Sequence, residues 1–298
     1  MTAAAQRIKR GYCMKKAEII VLAGQSNAVG CSYVEYLEKH IDAARMNRLR
    51  EGFGDIKINY YSHDVKSEGF VKTTFNCSVS DEDTFGPEVG IAEALHEKYP
   101  GKEFFIVKLA FGGVTLYNDF ISPSGNERHD RASYADQKED AAKALMAGET
   151  FRPGWCCNEL IKIVSESIKT LEARGYSPEI KAFCWMQGES DANMEAATAE
   201  YAHNFSALHD DFKARFAAYA GGCVFADAGI STVWERYERI NEIKRNYAAS
   251  HADCRFIDTI AEGLSTMSEP YDNPDIGHYD AESMLILGRL FAEAVTAE

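Results

Sequence analysis

The sequence predicts an α/β protein with a mainly parallel central sheet of about five strands and helices on both faces. Two observations carry this reading. Short apolar runs rich in β-branched and aliphatic residues recur at 18–23, 103–110, 179–186, 222–228 and 254–259, each the length of a buried strand. Between them, 88–99, 158–174, 196–219 and 233–249 bring apolar residues back at three- and four-residue steps, the period of an amphipathic helix. Alternation of this kind implies parallel strands joined by helical crossovers.

In chain order, 1–16 reads as a polar lead-in with basic residues and no apolar segment of signal-peptide type. The first strand follows, then 31–55, partly helical with its placement open, and 56–61, a short further strand candidate. After the second main strand comes 115–154, long, polar and rich in charge. It holds the loop signal Ser122-Pro123-Ser124-Gly125-Asn126 and an acidic helix at 136–147. Excursions of this length are usually functional loops or lids, so this one is expected to shape the substrate entrance. A helical pattern at 284–294 closes the chain. With no internal repeat or low-complexity linker, 17–298 reads as one domain.

Composition narrows the function classes. An apolar content of 46% and a charged content of 26% over 298 residues are those of a soluble globular chain, and no window approaches a membrane span. The net charge of −14 speaks against nucleic acid or an anionic membrane as partner and favours an uncharged or weakly charged small molecule. The oligomeric state stays open. Eight cysteines (Cys13, Cys31, Cys77, Cys156, Cys157, Cys184, Cys223, Cys254) form no CxxC pair and no Cys/His cluster at zinc spacing. Cys184 and Cys223 read as small buried hydrophobes, and the adjacent Cys156 and Cys157 are poorly placed for a disulfide. A reducing cytoplasm is the simplest setting.

Gly24-Gln25-Ser26-Asn27 follows the run 19–23, which puts Ser26 at a strand exit, where open α/β sheets collect ligands. A hydroxyl there is a nucleophile candidate; capping of the next helix is the competing use. An attacking Ser needs a base, an orienting acid and oxyanion donors. His278, in Asp275-Ile276-Gly277-His278-Tyr279-Asp280, is the base candidate, with Asp275 three residues earlier as its carboxylate. The strand at 104–110 runs into Gly112-Gly113, whose backbone N–H groups can face a developing negative charge, or can simply make a turn. A third exit, Trp185-Met186-Gln187-Gly188-Glu189-Ser190-Asp191, offers the Gln187 amide and two carboxylates that would otherwise cap a helix.

Together these four segments resemble the SGNH hydrolase superfamily, and within it the branch of sialate O-acetylesterases and carbohydrate esterase family 6 acetylxylan esterases. The matching blocks, from Gly24-Gln25-Ser26-Asn27 through Lys108-Leu109-Ala110-Phe111-Gly112-Gly113 and the Gln187 segment to Asp275-Ile276-Gly277-His278, lie within 19–290. The resemblance implies a three-layer, flavodoxin-like α/β/α fold and a carbohydrate O-acetylesterase that works through an acetyl-enzyme, with no metal or organic cofactor. It implies Ser26 as nucleophile, His278 as general base and Asp275 as orienting acid. The implied oxyanion hole comprises the Ser26 N–H, a Gly112 or Gly113 N–H and the Gln187 side chain, which takes the place of Asn in the wider superfamily. Glu189, Gln25 and Asn27 are alternatives as acid or substrate-binding residues, Glu189 being the rival partner of His278. The family usually has Thr or Ser directly after the glycine pair; here Val114 precedes Thr115, so a hydroxyl that supports the oxyanion donor from behind is expected to be displaced.

Other side chains rank lower. Trp155, Tyr117, Phe120 and Trp234 are candidates for lining a sugar site or for the core, and Arg128 and Arg152 for a sugar carboxylate. His63, His96, His129, His203, His209 and His251 read as surface histidines. Three rival functions were weighed. A dinucleotide or phosphate binder lacks both glycine fingerprints at 24–30. A non-catalytic carbohydrate-binding relative has no need of Ser26, His278 and Asp275 together. A lipid or thioester esterase would want an acyl tunnel, of which the polar 115–154 gives no sign.

Overall fold

The computed structural model describes residues 14–75, 77–79, 83–127, 153–268 and 274–296. Each apolar run forms a strand: β1 (Lys15–Gly24), β2 (Phe53–Ser62), β3 (Phe104–Ala110), β4 (Tyr176–Met186), β5 (Val224–Ala228) and β6 (Cys254–Ile257). All six are parallel, in the order β2-β3-β1-β4-β5-β6. With β2 set aside, the other five follow the flavodoxin order 2-1-3-4-5.

The sheet is larger than the expected five strands. Two short antiparallel strands, Val65–Lys66 and Val71–Thr73, pair with β2 and bring the total to eight. β2 alternates buried Ile56 and Ile58 with less buried Lys57 and Asn59, as a strand near a sheet edge does, and a search for continuous apolar runs undercounts such strands. β1 also opens at Lys15, inside the expected lead-in. Lys15 and Lys16 pair with Tyr176 and Ser177 of β4 and ion-pair with Glu103 and Glu179, which extends the strand outward.

Besides the single turns Pro123–Asn126 and Glu189–Ala192, the helices among the described residues are α1 (Ser26–Val29), α2 (Val34–His40), α3 (Ala43–Glu51), α4 (Pro87–Lys98), α5 (Trp155–Ala173), α6 (Glu195–Arg215), α7 (Tyr237–Ser250) and α8 (Ala281–Thr296). α2 and α3 account for the open stretch 31–55. The crossovers from β3 to β4, β4 to β5 and β5 to β6 all run in one direction across the sheet, so right-handed connections put α5, α6 and α7 on one face, while α4 packs with α8 on the other. The packing agrees: α5 lies on β1, β3 and β4, α6 against α7, and α8 against α4. The last pair approaches closely because Gly288 meets Gly90, where a side chain on either would strike the other helix's backbone. That contact fixes α8, and α8 carries the His278 turn.

Of the 115–154 excursion, 115–127 and 153–154 are described. The acidic helix expected at 136–147, with Arg128, His129 and Arg152, lies outside the described residues. Cys31, Cys77, Cys156, Cys157, Cys184, Cys223 and Cys254 are free thiols, all but Cys31 buried. No helix among the described residues is long and apolar enough to cross a membrane.

Candidate active site

The register of three strands assembles the site. Gly24 of β1 stands level with Ala110 of β3 on one side and Met186 of β4 on the other. Ser26, Gly112 and Gln187, one or two residues beyond, therefore leave the sheet side by side at the topological switch point, where α/β sheets bind ligands. Gly24 has φ +152°, and a Cβ there would lie 1.8 Å from Met186 O, so the turn accepts only glycine. Gln25 N donates to Met186 O at 2.9 Å and Phe111 N to Gly24 O at 3.3 Å, which lock the three exits together. Among the described residues the N–H groups of Ser26, Gly112 and Gly113 make no hydrogen bond. These are donors in want of an acceptor beside the Ser26 hydroxyl.

His278 enters from the turn ahead of α8. Its Nδ1 lies 2.5 Å from Asp275 Oδ2, while Gly277 N donates to Asp275 Oδ1 at 3.1 Å, so one carboxylate holds both ring and turn. Burial works to lower the His278 pKa, but the hydrogen bond to Asp275 and contact with the Cys31 thiol outweigh it and raise the value to about 10. That hydrogen bond in turn holds Asp275 below the usual carboxylate range. The carboxylate paired with His278 is thus Asp275 and not Glu189. Glu189 is fully buried and accepts Asn27 Nδ2 at 2.9 Å; burial pushes its pKa up. Ser26 Oγ makes no hydrogen bond among the described residues. The Cys31 thiol, donating to Ser26 O at 3.5 Å, faces the imidazole, a neighbour that its sequence position does not reveal.

Gln25, Asn27 and Glu189, read from the sequence as alternative acid or substrate-binding residues, sit behind the Ser26 turn. Each is almost wholly buried, in bonds that hold the site together. Asn27 Nδ2 donates to Glu189 and to Gly277 O (3.4 Å), and its Oδ1 accepts Tyr279 N at 3.0 Å, so this side chain ties the Ser26 turn to the His278 turn. Gln25 Oε1 accepts Ser190 N at 3.1 Å and Gln187 Nε2 at 3.3 Å.

Gln187 also departs from expectation. Its Nε2 has three protein acceptors, Asp191 Oδ2 (2.5 Å), Val114 O (3.3 Å) and Gln25 Oε1 (3.3 Å), for two hydrogens. In this arrangement both hydrogens face protein acceptors. Asp191, which burial pushes up to about 7, also accepts Leu116 N and Tyr117 N. Gln187 and Asp191 thus anchor the loop that follows Gly112-Gly113. Thr115, beyond the displaced position, turns its hydroxyl to Asp119 Oδ2 at 3.0 Å.

Among the aromatic candidates, Phe120 packs on Trp185 in the core and Tyr117 is buried. Trp155 packs edge-on against Phe111, and Trp234 lies 3.4 Å from where a Gly277 Cβ would stand, so these two flank the site. His63, the one non-glycine residue with positive φ (49°) among the described residues, sits beside Gly112. His209 is no surface histidine: it is 3% exposed, under the sheet's far edge.

A hydroxyl, an imidazole with its carboxylate and unpaired backbone donors are the parts that acyl transfer needs. The model of the family "Carbohydrate esterase, sialic acid-specific acetylesterase" matches residues 16–297. The chain belongs to this family. As a member of the sialic acid-specific acetylesterase family it is a carboxylic ester hydrolase. Curated protein sequences gave no match. Among solved structures, an Arabidopsis thaliana protein is similar at TM-score 0.63 and 17% identity, over 94% of this chain and 98% of that one. NanS is similar at TM-score 0.64 and 16% identity, over 95% and 98%. A carbohydrate acetylesterase from Xanthomonas citri, XAC1771, reaches TM-score 0.54 and 13% identity, over 94% of this chain and 55% of that one. At these identities the likeness concerns the fold.

Proposed function

We propose that this chain is a serine esterase that removes O-acetyl groups from carbohydrates, of the acetylated xylo-oligosaccharide or O-acetyl sialic acid type, through an acetyl-enzyme. The observation that carries the reading is the His278–Asp275 pair, 2.5 Å apart, in a turn that Asn27 ties to the Ser26 turn. Family membership and the name of one similar structure, the Xanthomonas carbohydrate acetylesterase, support the substrate class.

His278 takes the Ser26 proton at Nε2 as Oγ attacks the acetyl carbonyl, and Asp275 stabilises the imidazolium. The Ser26 N–H and a Gly112 or Gly113 N–H receive the oxyanion of the tetrahedral intermediate. The intermediate collapses, His278 returns the proton to the departing sugar oxygen, and Ser26 is left acetylated. Water, deprotonated by His278, then attacks the acetyl carbonyl and acetate leaves, restoring the Ser26 hydroxyl. Catalytic hydrogen bonds often close only when substrate binds, which accommodates the unbonded Ser26 Oγ. Gln187 serves this scheme as a positioning residue.

The test is hydrolysis of a generic acetyl ester, an acetylated xylo-oligosaccharide and an O-acetylated sialic acid by the wild-type chain and by Ser26→Ala. The proposal expects turnover of at least one acetylated sugar and its loss in the variant. Equal activity in Ser26→Ala would overturn the serine mechanism, and hydrolysis of the generic ester alone would overturn the carbohydrate assignment.

A further inference from the structure

At the opposite edge of the sheet, the N-terminal ends of β5 and β6, three potential metal ligands from distant parts of the sequence converge. His209 Nε2 of α6, the Asp253 carboxylate and Cys254 Sγ at the start of β6 all lie within 4.8 Å of one another. His209 Nε2 is 3.4 Å from Asp253 Oδ2, and Cys254 Sγ is 3.8 Å from Asp253 Oδ1. Tetrahedral zinc, with bonds of about 2.0–2.3 Å to nitrogen, oxygen and sulfur, holds its ligand atoms roughly 3.3–3.5 Å apart. The two measured contacts fall on different Asp253 oxygens, so closing around one ion needs the carboxylate to turn and the His209–Cys254 pair, within 4.8 Å, to draw in.

The histidine supplies the second observation. Its Nδ1 faces Asp210 Oδ1 at 3.0 Å, a geometry that suits the tautomer with its proton on Nδ1 and its Nε2 lone pair turned toward Asp253. Nε2 is buried and makes no hydrogen bond. It faces Asp253 Oδ2 at 3.4 Å, the oxygen that the Lys213 ammonium also pairs with, so a metal ion bound there would take over the charge-balancing place of Lys213. A ligating histidine typically has a carboxylate on its other ring nitrogen, the place Asp210 occupies here. Phe225, Tyr247 and His251 pack around the ring and hold its orientation. Lys213, ion-paired to Asp253, is 40% exposed and can swing out, which also opens the path from solvent.

We propose that His209, Asp253 and Cys254 bind a divalent cation of zinc type. The mixed nitrogen, oxygen and sulfur donor set favours zinc over the oxygen-seeking magnesium and calcium. On binding, the Cys254 thiol loses its proton to solvent and the thiolate completes the bond. The ion would fasten α6 to the β5–β6 edge, far from Ser26, as a structural site separate from ester hydrolysis.

The experiment is equilibrium dialysis of the chelator-treated chain against Zn²⁺ and, separately, Co²⁺, for the wild type, Cys254→Ser and His209→Gln. The proposal expects one zinc per chain in the wild type, a rise in Tm with zinc, and a thiolate-to-cobalt absorption band with cobalt. Each substitution should weaken uptake by at least about tenfold, a conservative figure for losing a ligand when losing a supporting residue alone costs 10–100-fold. Cys254→Ser should also abolish the cobalt–thiolate band. Cys254→Ser keeps the side chain's shape, and retained hydrolysis of a generic acetyl ester reports that each variant is folded. Absence of stoichiometric uptake by the wild type would overturn the proposal, as would uptake and a cobalt spectrum unchanged in Cys254→Ser.

Discussion

The two sides of the candidate active site are held in different ways. The Ser26 turn is fixed by backbone: the β1, β3 and β4 register, the close approach of Gly24 to Met186, and the bonds from Gln25 N and Phe111 N. The His278 turn is held by side chains, namely Asp275 on its ring and its own backbone, and Asn27 from across the site. Ser26 is 8% exposed, whereas the Asp275 side chain is 47% exposed. The nucleophile's position is thus a property of the fold, disturbed mainly through stability, while the base can be tuned by single side chains.

The largest expected effect is on the tunable side. Asp275→Asn is expected to lower turnover by about 10³–10⁴-fold, the scale of losing the orienting carboxylate in a serine triad. Glu189→Gln, which keeps the oxygen that Asn27 donates to, is expected to stay within about tenfold of wild type. Collapse in Glu189→Gln with survival of Asp275→Asn would reverse the assignment. The pH profile sharpens the same contrast. Base catalysis needs neutral His278, whose pKa is raised above the ordinary 6.5, so kcat/KM is expected to climb with pH beyond 6.5. In Asp275→Asn the limb should move to lower pH.

The sign for stability runs with the proton. The raised His278 pKa stabilises the fold fully below 6.5, and that contribution is lost as pH climbs through about 10. The lowered Asp275 pKa contributes above 3.8 and is lost as pH falls through its depressed value.

On the rigid side, Lys108 is the point to break. It is fully buried in β3 and donates to Val29 O, Cys77 O and Glu88 Oε2, which supports α1 from beneath. Lys108→Met leaves Glu88 a buried, unpaired charge and should cost about 3–5 kcal/mol in denaturant unfolding. Asn27→Ala, which unlinks the two sides and strands Tyr279 N, should cost about 1–3 kcal/mol. Smallest is Cys31→Ala: a thiol beside the ring but outside the proposed proton path should change kcat by less than about tenfold, about 1.4 kcal/mol. A loss approaching that of Asp275→Asn would bring Cys31 into the mechanism.

The same division explains what could be read from the sequence. β1, β3 and β4 were legible because strands buried on both faces read as continuous apolar runs, and the Ser26 turn because it abuts one; β5 and β6 are shorter, and β6, at the sheet's edge, leaves Arg255 exposed. The His278–Asp275 pair was legible because it is local, three residues apart in one turn. Asn27's cross-link, the Gln187–Asp191 anchor and the Cys31 thiol on the imidazole were not, because burial and partner choice arise only when separate segments meet. Gln187 shows the cost: at a strand exit its amide reads as an oxyanion donor, yet the fold sets a buried carboxylate four residues on, at 2.5 Å. His209 looked like a surface residue on a helix, and only the fold brings Asp253 and Cys254 to it.

The central claim is that Ser26 is the nucleophile activated by His278. Its most direct test is labelling of the intact chain with a serine-directed fluorophosphonate, followed by peptide mapping. The account expects one label per chain, on the peptide holding Ser26, lost in Ser26→Ala and slowed strongly in His278→Ala. A label elsewhere, on Cys31 for example, or an unchanged rate in His278→Ala, would contradict it.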